Sequence, residues 1–243
     1  MGTQTRRDRE REQRRRTILD AAKGLFLERG LDDTPMAEIA RAAELSKGTL
    51  YLYFASKEEL VFALILESLQ ELKARIRTAA DEADSGYERV RAMVDAYRRF
   101  YAERSDYVHL YQFLDYQVHF LTEPDSTAYR CFRQSDEIKE IIVEVLHRGQ
   151  ADGSVRTDLD PQKTAELYQH ILESFHQKVV ARRAFIEQRS SYEPEELLDH
   201  MFELILYAIH PHGETEQSQQ SQKSQKRDKS ENGTKTKKGG GTP

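Results

Sequence analysis

The segment from Thr34 to Lys57 constrains this chain more than any other stretch of it. It reads TPMAEIARAAELSKGTLYLYFASK. Two short helical patterns flank a three-residue break, and apolar residues recur at helical spacing on both sides of that break. We expect Ser46 to cap the second helix, which should run from Lys47 to about Phe54. The remaining face of that helix carries Lys, Thr and Tyr in place of apolar residues, which is typical of a helix that lies against DNA.

Local signals around these two helices support the same interpretation. Thr34 is expected to cap the first helix, with Pro35 at its first helical position, where a missing N–H costs nothing. Gly48 lies near the start of the second helix, where it costs about 1 kcal/mol relative to alanine. Such a cost predicts a close approach to another group, and a phosphate fits because helix N-termini attract anions. The run Ser56-Lys57-Glu58-Glu59 predicts a capping box that opens the next helix.

The string SKGTLYLYFASKEEL, preceded by MAEIARAAEL and AAKGLFLERG, resembles the DNA-binding domain of TetR-type (TetR/AcrR) transcriptional regulators. The resemblance covers about residues 14–65. It implies an all-α chain in which an N-terminal three-helix helix-turn-helix domain precedes a helical ligand-sensing and dimerisation domain. It also implies a homodimeric repressor that binds a palindromic operator and is released by a small hydrophobic effector. Family members usually carry glycine at the position of Glu44, so this turn is expected to be strained or bent slightly differently.

A set of residues within this motif is expected to contact double-stranded DNA. Lys47, Thr49 and Tyr51 are assigned to base edges. Tyr53 and Lys57 are assigned to phosphates, and Thr34 to a further hydroxyl contact. The complete expected set is Thr34, Ser46, Lys47, Gly48, Thr49, Tyr51, Tyr53 and Lys57.

The formal net charge of −5 hides an asymmetry between the ends and the middle of the 243-residue chain. Residues 1–16 carry a local +4 and residues 214–243 a local +3, which leaves −12 for the residues between them. An acidic body with basic ends suits a protein that touches phosphates through a few placed contacts. The expected segments are a basic N-terminal arm (1–13), the helix-turn-helix domain (14–60), the ligand-sensing and dimerisation domain (61–212) and a disordered polar tail (213–243).

Beyond the motif the chain has the pattern of one helix after another. Apolar residues recur at helical spacing between glycine and proline breaks, and no alternating strand pattern is present. About nine helices are predicted. The fourth, from Lys57 to about Glu82, is expected to be the only element that spans both domains and to transmit ligand binding as a rigid shift. The eighth is predicted as one helix from Pro161 to about Gln188.

Composition excludes several classes of protein. A single cysteine, Cys131, cannot form an intramolecular disulfide. No apolar run approaches the roughly eighteen residues of a membrane span, and the basic N-terminus lacks the apolar stretch of a signal peptide. We therefore expect a cytoplasmic protein with no membrane contact. No nucleophile–base pair, phosphate-binding glycine loop or zinc-type cysteine spacing is present, so no catalytic residue, cofactor or metal is predicted.

Aromatic residues are concentrated between residues 97 and 132, and this density predicts a pocket for an apolar small molecule. The alternative for any one ring is that it simply fills the core. The residues expected to bind the ligand are Tyr97, Tyr101, Tyr111, Tyr116, His119, Phe132 and Phe175. The last two helices carry apolar faces wider than one intramolecular contact requires, which predicts a four-helix dimer interface. That interface is expected to centre on Phe175, Val179, Phe202 and Ile205.

Two alternatives from other classes of protein remain open. The pairs Glu144/His147 and Glu173/His176 both have the Glu-x-x-His spacing of helix bundles that bind two iron ions. A di-iron carboxylate enzyme is therefore the competing hypothesis, although it would leave the DNA-facing helix unexplained. A helix-turn-helix that contacts protein instead of DNA is the other.

Overall fold

The computed structural model describes residues 2–116 and 124–211, with side chains described for residues 6–111 and 124–211. Its described residues form ten α-helices and no strand, so the all-α prediction is confirmed. None of these ten helices combines the length and the apolar character of a membrane span. The helices are α1 (Gly2–Arg29), α2 (Met36–Ala42), α3 (Lys47–Tyr51), α4 (Lys57–Asp81), α5 (Gly86–Glu103), α6 (Ser105–Tyr116), α7 (Thr127–Asp152), α8 (Pro161–Ala181), α9 (Arg183–Arg189) and α10 (Pro194–Ile209).

The first three helices share one small core with the start of α4. Ile18 from α1, Ile39 from α2 and Leu50 from α3 are fully buried, as is Leu60 at the beginning of α4. These are the apolar positions whose spacing predicted the helices, and burying each side chain stabilises the fold by about 1.5–3 kcal/mol.

The basic N-terminal segment, expected as an arm over residues 1–13, is helical from Gly2. Helix α1 begins at Gly2 and continues without interruption into the buried stripe that starts at Ile18. Residues 6–14 are exposed along this extension, while Arg15 reaches α4, where its Nη1 lies 3.0 Å from the Glu67 carboxylate. The arginines of this segment are therefore presented on an exposed helix. Residues 213–243, the expected tail, lie outside the described residues.

Helix α4 is the central element of the second half of the fold and packs on α5, α6 and α7 as well as on α1. Its bounds agree with the prediction, because Ser56 caps its first turn by accepting from the Glu59 N–H at 3.2 Å. The Glu59 carboxylate reaches back to the Ala55 N–H at 2.6 Å, one residue before the position that a standard capping box uses.

The predicted eighth helix is two helices, which raises the number from nine to ten. Helix α8 ends at Ala181, and Arg182 leaves the helical region with φ −111° and ψ 16° before α9 begins. Neither glycine nor proline occurs at this break, so the usual sequence signals do not mark it.

Helices α5 and α7 cross at a pair of glycines. The backbone of Gly86 at the start of α5 lies against Gly149 near the end of α7, so a Cβ on Gly86 would overlap the Gly149 backbone. A Cβ on Gly149 would lie 2.9 Å from the Cβ of Val155. The Gly86 N–H also donates to the Asp152 carboxylate at 2.7 Å. This crossing fixes the spacing of the two helices whose other ends carry the aromatic residues.

Candidate DNA-binding surface and effector cavity

Helix α3 is a short helix held firmly at its start. The Ser46 hydroxyl accepts from the Thr49 N–H at 3.1 Å and lies 2.8 Å from the Thr49 hydroxyl. Leu50 is fully buried beneath the helix and Leu45, in the turn, packs against the same core. The predicted cap is thus confirmed, although the helix ends at Tyr51 and not near Phe54.

Glu44 has φ +55°, and it is the only non-glycine residue with positive φ in the described part of the chain. The left-handed conformation costs an L-residue with a Cβ roughly 1–2 kcal/mol. The expectation of a strained turn at this position is therefore confirmed. The turn keeps its shape because Ala43, Glu44 and Leu45 all donate backbone hydrogen bonds to α2, and the Leu45 side chain is held in the core.

One face of α3 is exposed, and it carries three of the predicted residues. Lys47, Gly48 and Tyr51 are exposed, and the Lys47 ammonium lies 5.8 Å from the centroid of the Tyr51 ring. Thr49 is half-buried. Leu52, which the sequence analysis did not single out, is 80% exposed directly beside them. Its exposure was detectable in principle, since Leu50 and Phe54 define the buried side and Leu52 lies opposite.

Thr34 and Lys57 do not have the positions expected of them. Thr34 is 1% exposed, and its hydroxyl donates to the Gly30 carbonyl at 2.7 Å, so it neither caps α2 nor reaches the surface. Pro35 is the N-cap residue of α2. The Lys57 ammonium donates to the carbonyl of Leu31 and, at 3.4 Å, to that of Asp32. Both side chains therefore hold the loop between α1 and α2 in place. Tyr53, the other residue assigned to a phosphate, is half-buried.

A cavity of about 320 Å³ lies among α4, α5, α6, α7 and α8. Four of the predicted ligand residues line it: Tyr97, Tyr101, Tyr111 and Phe132. Phe175 does not line it. Its neighbour on α8, His176, does. The Tyr116 side chain and His119 lie outside the described residues.

The inner wall of the cavity is aromatic and uncharged. The rings of Tyr97 and Tyr101 lie with centroids 4.5 Å apart, and the His176 ring lies 4.5 Å from that of Tyr101. Burial raises the pKa of Tyr97, Tyr101 and Tyr111 well above the ordinary range of tyrosine. Burial also lowers the pKa of His176 to about 4. All four side chains are therefore neutral near pH 7.

Hydrogen bonding along this wall is incomplete. The Tyr111 hydroxyl is 3.0 Å from the Ser68 hydroxyl of α4. The Tyr97 hydroxyl and the Nδ1 atom of His176 are buried and have no hydrogen-bond partner among the described residues. Such buried atoms without partners are rare in native proteins.

Two elements, and not one, connect the cavity with the first three helices. Helix α4 does so as predicted, but α6 also reaches α1, where the Lys23 ammonium pairs with the Asp106 carboxylate. The same ammonium lies 4.2 Å from the centroid of the Tyr107 ring. Helix α4 remains the only described helix that runs from one part of the chain into the other, and α6 adds a second contact between them.

The residues predicted at the centre of a dimer interface belong mostly to the core of the single chain. Val179, Phe202 and Ile205 are buried, and Phe175 is half-buried. Phe202 packs against Tyr97 of α5, with ring centroids 5.9 Å apart. The large apolar residues of α8 and α10 that are exposed are Leu167, Leu204 and Tyr207, of which the last two are 55% and 68% exposed.

The di-iron alternative finds no support in the described residues. The Glu144 carboxylate is paired with the guanidinium groups of Arg77, at 2.9 Å, and Arg148, at 2.7 Å, and these ion pairs lower its pKa. His147, its partner in the proposed motif, is exposed. Within residues 2–116 and 124–211 no group of three or more His, Cys, Asp or Glu side chains is arranged to hold a metal ion.

These features define a class of protein, an all-helical helix-turn-helix regulator with an internal cavity in its second half. Residues 18–64 match the family model for bacterial regulatory proteins of the tetR family. The transcriptional repressor KstR2 of Mycolicibacterium smegmatis is 32% identical over 147 residues, which are 60% of this chain and 70% of that protein. The chain belongs to the TetR family of transcriptional regulators.

Solved structures agree with this assignment. The ketosteroid transcriptional regulator KstR2 of Mycobacterium tuberculosis is similar with a TM-score of 0.60 at 25% identity, over 82% of this chain and 96% of that one. FadR from Bacillus subtilis, in complex with stearoyl-CoA, has a TM-score of 0.60 at 20% identity over 80% of this chain and 98% of that one. At that identity the second likeness shows the fold alone.

Proposed function

We propose that this regulator is a homodimeric repressor that binds a palindromic operator through α3 and is released by a small molecule in the cavity. It acts in the cytoplasm, where its operator lies, and has no enzymatic activity. The observation that carries the proposal is the construction of α3, whose capped start and buried Leu50 hold an exposed face of polar and aromatic side chains. A short helix so anchored presents side chains to the major groove of DNA in a fixed orientation.

On this proposal Lys47 and Tyr51 read base edges, with Thr49 beside them and Ser46 and Gly48 at the start of the helix. Tyr53 remains the assigned phosphate contact. Lys57 acts mainly by positioning, because its ammonium is bonded to carbonyl groups of the loop between α1 and α2. The arginine-rich start of α1 adds contacts to phosphates that do not depend on sequence.

The proposed dimer pairs α8 and α10 with their copies in the second chain. Leu167, Leu204 and Tyr207 supply apolar area that one chain leaves exposed on these two helices. Large exposed apolar side chains grouped on neighbouring helices indicate a protein–protein contact. Phe202 and Ile205 support that surface from beneath. Two-fold symmetry then sets the two copies of α3 about 34–36 Å apart, one turn of DNA, or a multiple of that.

Release requires that a ligand in the cavity change the position of α3. Two links are available. Tyr111 lines the cavity and is hydrogen-bonded to Ser68 on α4, and α6, which carries Tyr111, is ion-paired to Lys23 of α1. A coupling of about 1–3 kcal/mol would weaken operator binding about 5–150-fold, and operator would weaken ligand binding by the same factor.

Fluorescence anisotropy with a labelled fragment of the chain's own promoter region tests the DNA-binding half of the proposal. Lys47→Ala and Tyr51→Ala are expected to reduce the ratio of operator to random-DNA affinity by about tenfold or more, since each removes a base contact worth about 1–3 kcal/mol. Arg91→Ala is the matched control, because Arg91 is an exposed cation on α5. Unchanged operator affinity in both α3 variants, or an equal loss in the control, would contradict the proposal.

A further inference from the structure

Two buried polar atoms on the wall of the cavity have no hydrogen-bond partner among the described residues. Tyr97 is 6% exposed and His176 is 7% exposed, and both line the cavity. The Tyr97 hydroxyl and His176 Nδ1 are buried and unpaired among the described residues. Their rings are 5.8 Å apart in an edge-to-face arrangement. Two unpaired polar atoms on one wall of a cavity indicate a position where a ligand supplies the missing hydrogen bonds.

We propose that the effector is an uncharged molecule with an apolar body, whose hydroxyl or carbonyl oxygen hydrogen-bonds to both the Tyr97 hydroxyl and His176 Nδ1. This inference rests on the proposed function only in taking the occupant of the cavity to be the effector. A hydroxyl suits the pair because it can donate to one atom and accept from the other, and a carbonyl oxygen can accept from both. Either tautomer of neutral His176 is compatible with one of these arrangements.

The charges around the cavity favour a neutral ligand over an acid. Its described lining contains the carboxyl groups of Asp136, Glu166 and Glu173. Lys139 is the only permanently positive side chain in that described lining, and its ammonium is already paired with Asp136 at 3.1 Å and Glu166 at 2.8 Å. A carboxylate or phosphate group entering the cavity would therefore meet negative potential without an available cation.

A cation is disfavoured at the inner wall by a separate observation. Burial keeps His176 from accepting a proton, with a pKa of about 4, although the carboxyl group of Glu173 also lines the cavity. The ordinary pKa of histidine is about 6.5, so the lowered pKa shows that this position disfavours a positive charge. The same desolvation is unfavourable for an ammonium group of a ligand. The apolar part of the ligand would lie against Leu69, Leu72, Val108, Phe132, Ile142 and Leu172.

Isothermal titration calorimetry with matched probes tests the proposal on the full-length protein. The probes are an alcohol, a carboxylate and an ammonium compound on each of two apolar bodies, decyl and naphthylmethyl, together with unsubstituted naphthalene. We expect the alcohols to bind at least tenfold more tightly than the acids and amines of the same body. Tyr97→Phe and His176→Phe should each weaken alcohol binding about fivefold to tenfold, as the loss of one hydrogen bond predicts, and should leave naphthalene binding unchanged.

Tyr168→Phe is the matched control, because its buried hydroxyl donates to the Ile205 carbonyl at 3.1 Å and does not line the cavity. It should bind every probe like the unmodified protein. Tighter binding of the acids or amines would overturn the inference, as would alcohol binding that survives both substitutions or no binding of any alcohol at 1 mM. Operator titration in the presence of each probe tests the proposed function separately: release of operator by an acid or amine would leave effector control intact while refuting this choice of ligand.

Discussion

Lowering the pH from 7.5 to 5 is expected to destabilise this protein through one buried histidine. Burial holds the pKa of His176 at about 4 in the folded chain, against an ordinary value of about 6.5 when the chain is unfolded. At pH 5 the unfolded state is then about 97% protonated at this position and the folded state about 10%. Because the unfolded state binds more protons, stability falls as the pH falls through 6.5 towards 4.

The magnitude follows from the two pKa values. Between pH 7.5 and pH 5 the linkage relation gives a loss of about 2 kcal/mol from this one group. Domains are typically stable by about 5–15 kcal/mol, so a loss of about 2 kcal/mol in the free energy of unfolding should be measurable in ordinary denaturation curves. Most of the loss should occur below pH 6.5, where the unfolded histidine gains its proton.

The assay is urea denaturation at a series of pH values and one fixed protein concentration. His176→Phe removes the titrating group while keeping an aromatic ring beside Tyr101. Its free energy of unfolding should therefore fall about 2 kcal/mol less than that of the unmodified chain over the same pH range. His147→Gln, which replaces an exposed histidine of α7 outside the cavity, is the control for the substitution itself. Parallel curves for His176→Phe and the unmodified protein would refute the reasoning.

Three further predictions concern stability and assembly. Glu44→Gly should raise the free energy of unfolding by about 0.5–1 kcal/mol in thermal denaturation, because glycine adopts φ +55° without the cost of a Cβ, and Glu44→Ala should give no such gain. Gly149→Ala should lower it by about 1–3 kcal/mol through the overlap with Val155, whereas Gly24→Ala, with open space around its Cα, should raise it by up to about 1 kcal/mol. Leu204→Glu should convert the proposed dimer into monomers in sedimentation velocity, and a dimer that persists would place the interface elsewhere.

The local parts of the fold could be predicted because their causes are local. The Ser46 and Ser56 caps act over three residues, and the sequence displays both. Thr34 and Lys57 could not be predicted in the same way. Lys57 bonds to a carbonyl 26 residues earlier in the chain, and no pattern at Lys57 indicates that partner. The sequence indicates which residues carry polar side chains at these positions, but it does not indicate which groups those side chains bond to.

For the cavity and the proposed interface, too, the sequence does not show which other helix each residue packs against. Periodicity identified the apolar sides of α8 and α10, but it cannot tell which positions the chain's own α5 covers. Phe202 proved to be covered by Tyr97, whereas Leu204 and Tyr207 remain exposed. His176 was identified only as one half of an iron-binding motif. The absence of a partner for its Nδ1 atom among the described residues depends on how other helices pack against α8, and the pattern of a single helix does not contain that information.

The glycine crossing of α5 and α7 also limits how this protein can diverge in sequence. At Gly86 and Gly149 the two backbones touch, so any side chain on either position meets backbone or Val155. The walls of the cavity, further along the same two helices, are made of side chains and have no such restriction. Substitutions can therefore change the size and polarity of the cavity while the glycine pair keeps the helices that enclose it at the same separation. In a saturation mutagenesis library, every substitution at these two positions should lower the stability of the protein, whereas many substitutions in the cavity wall should not.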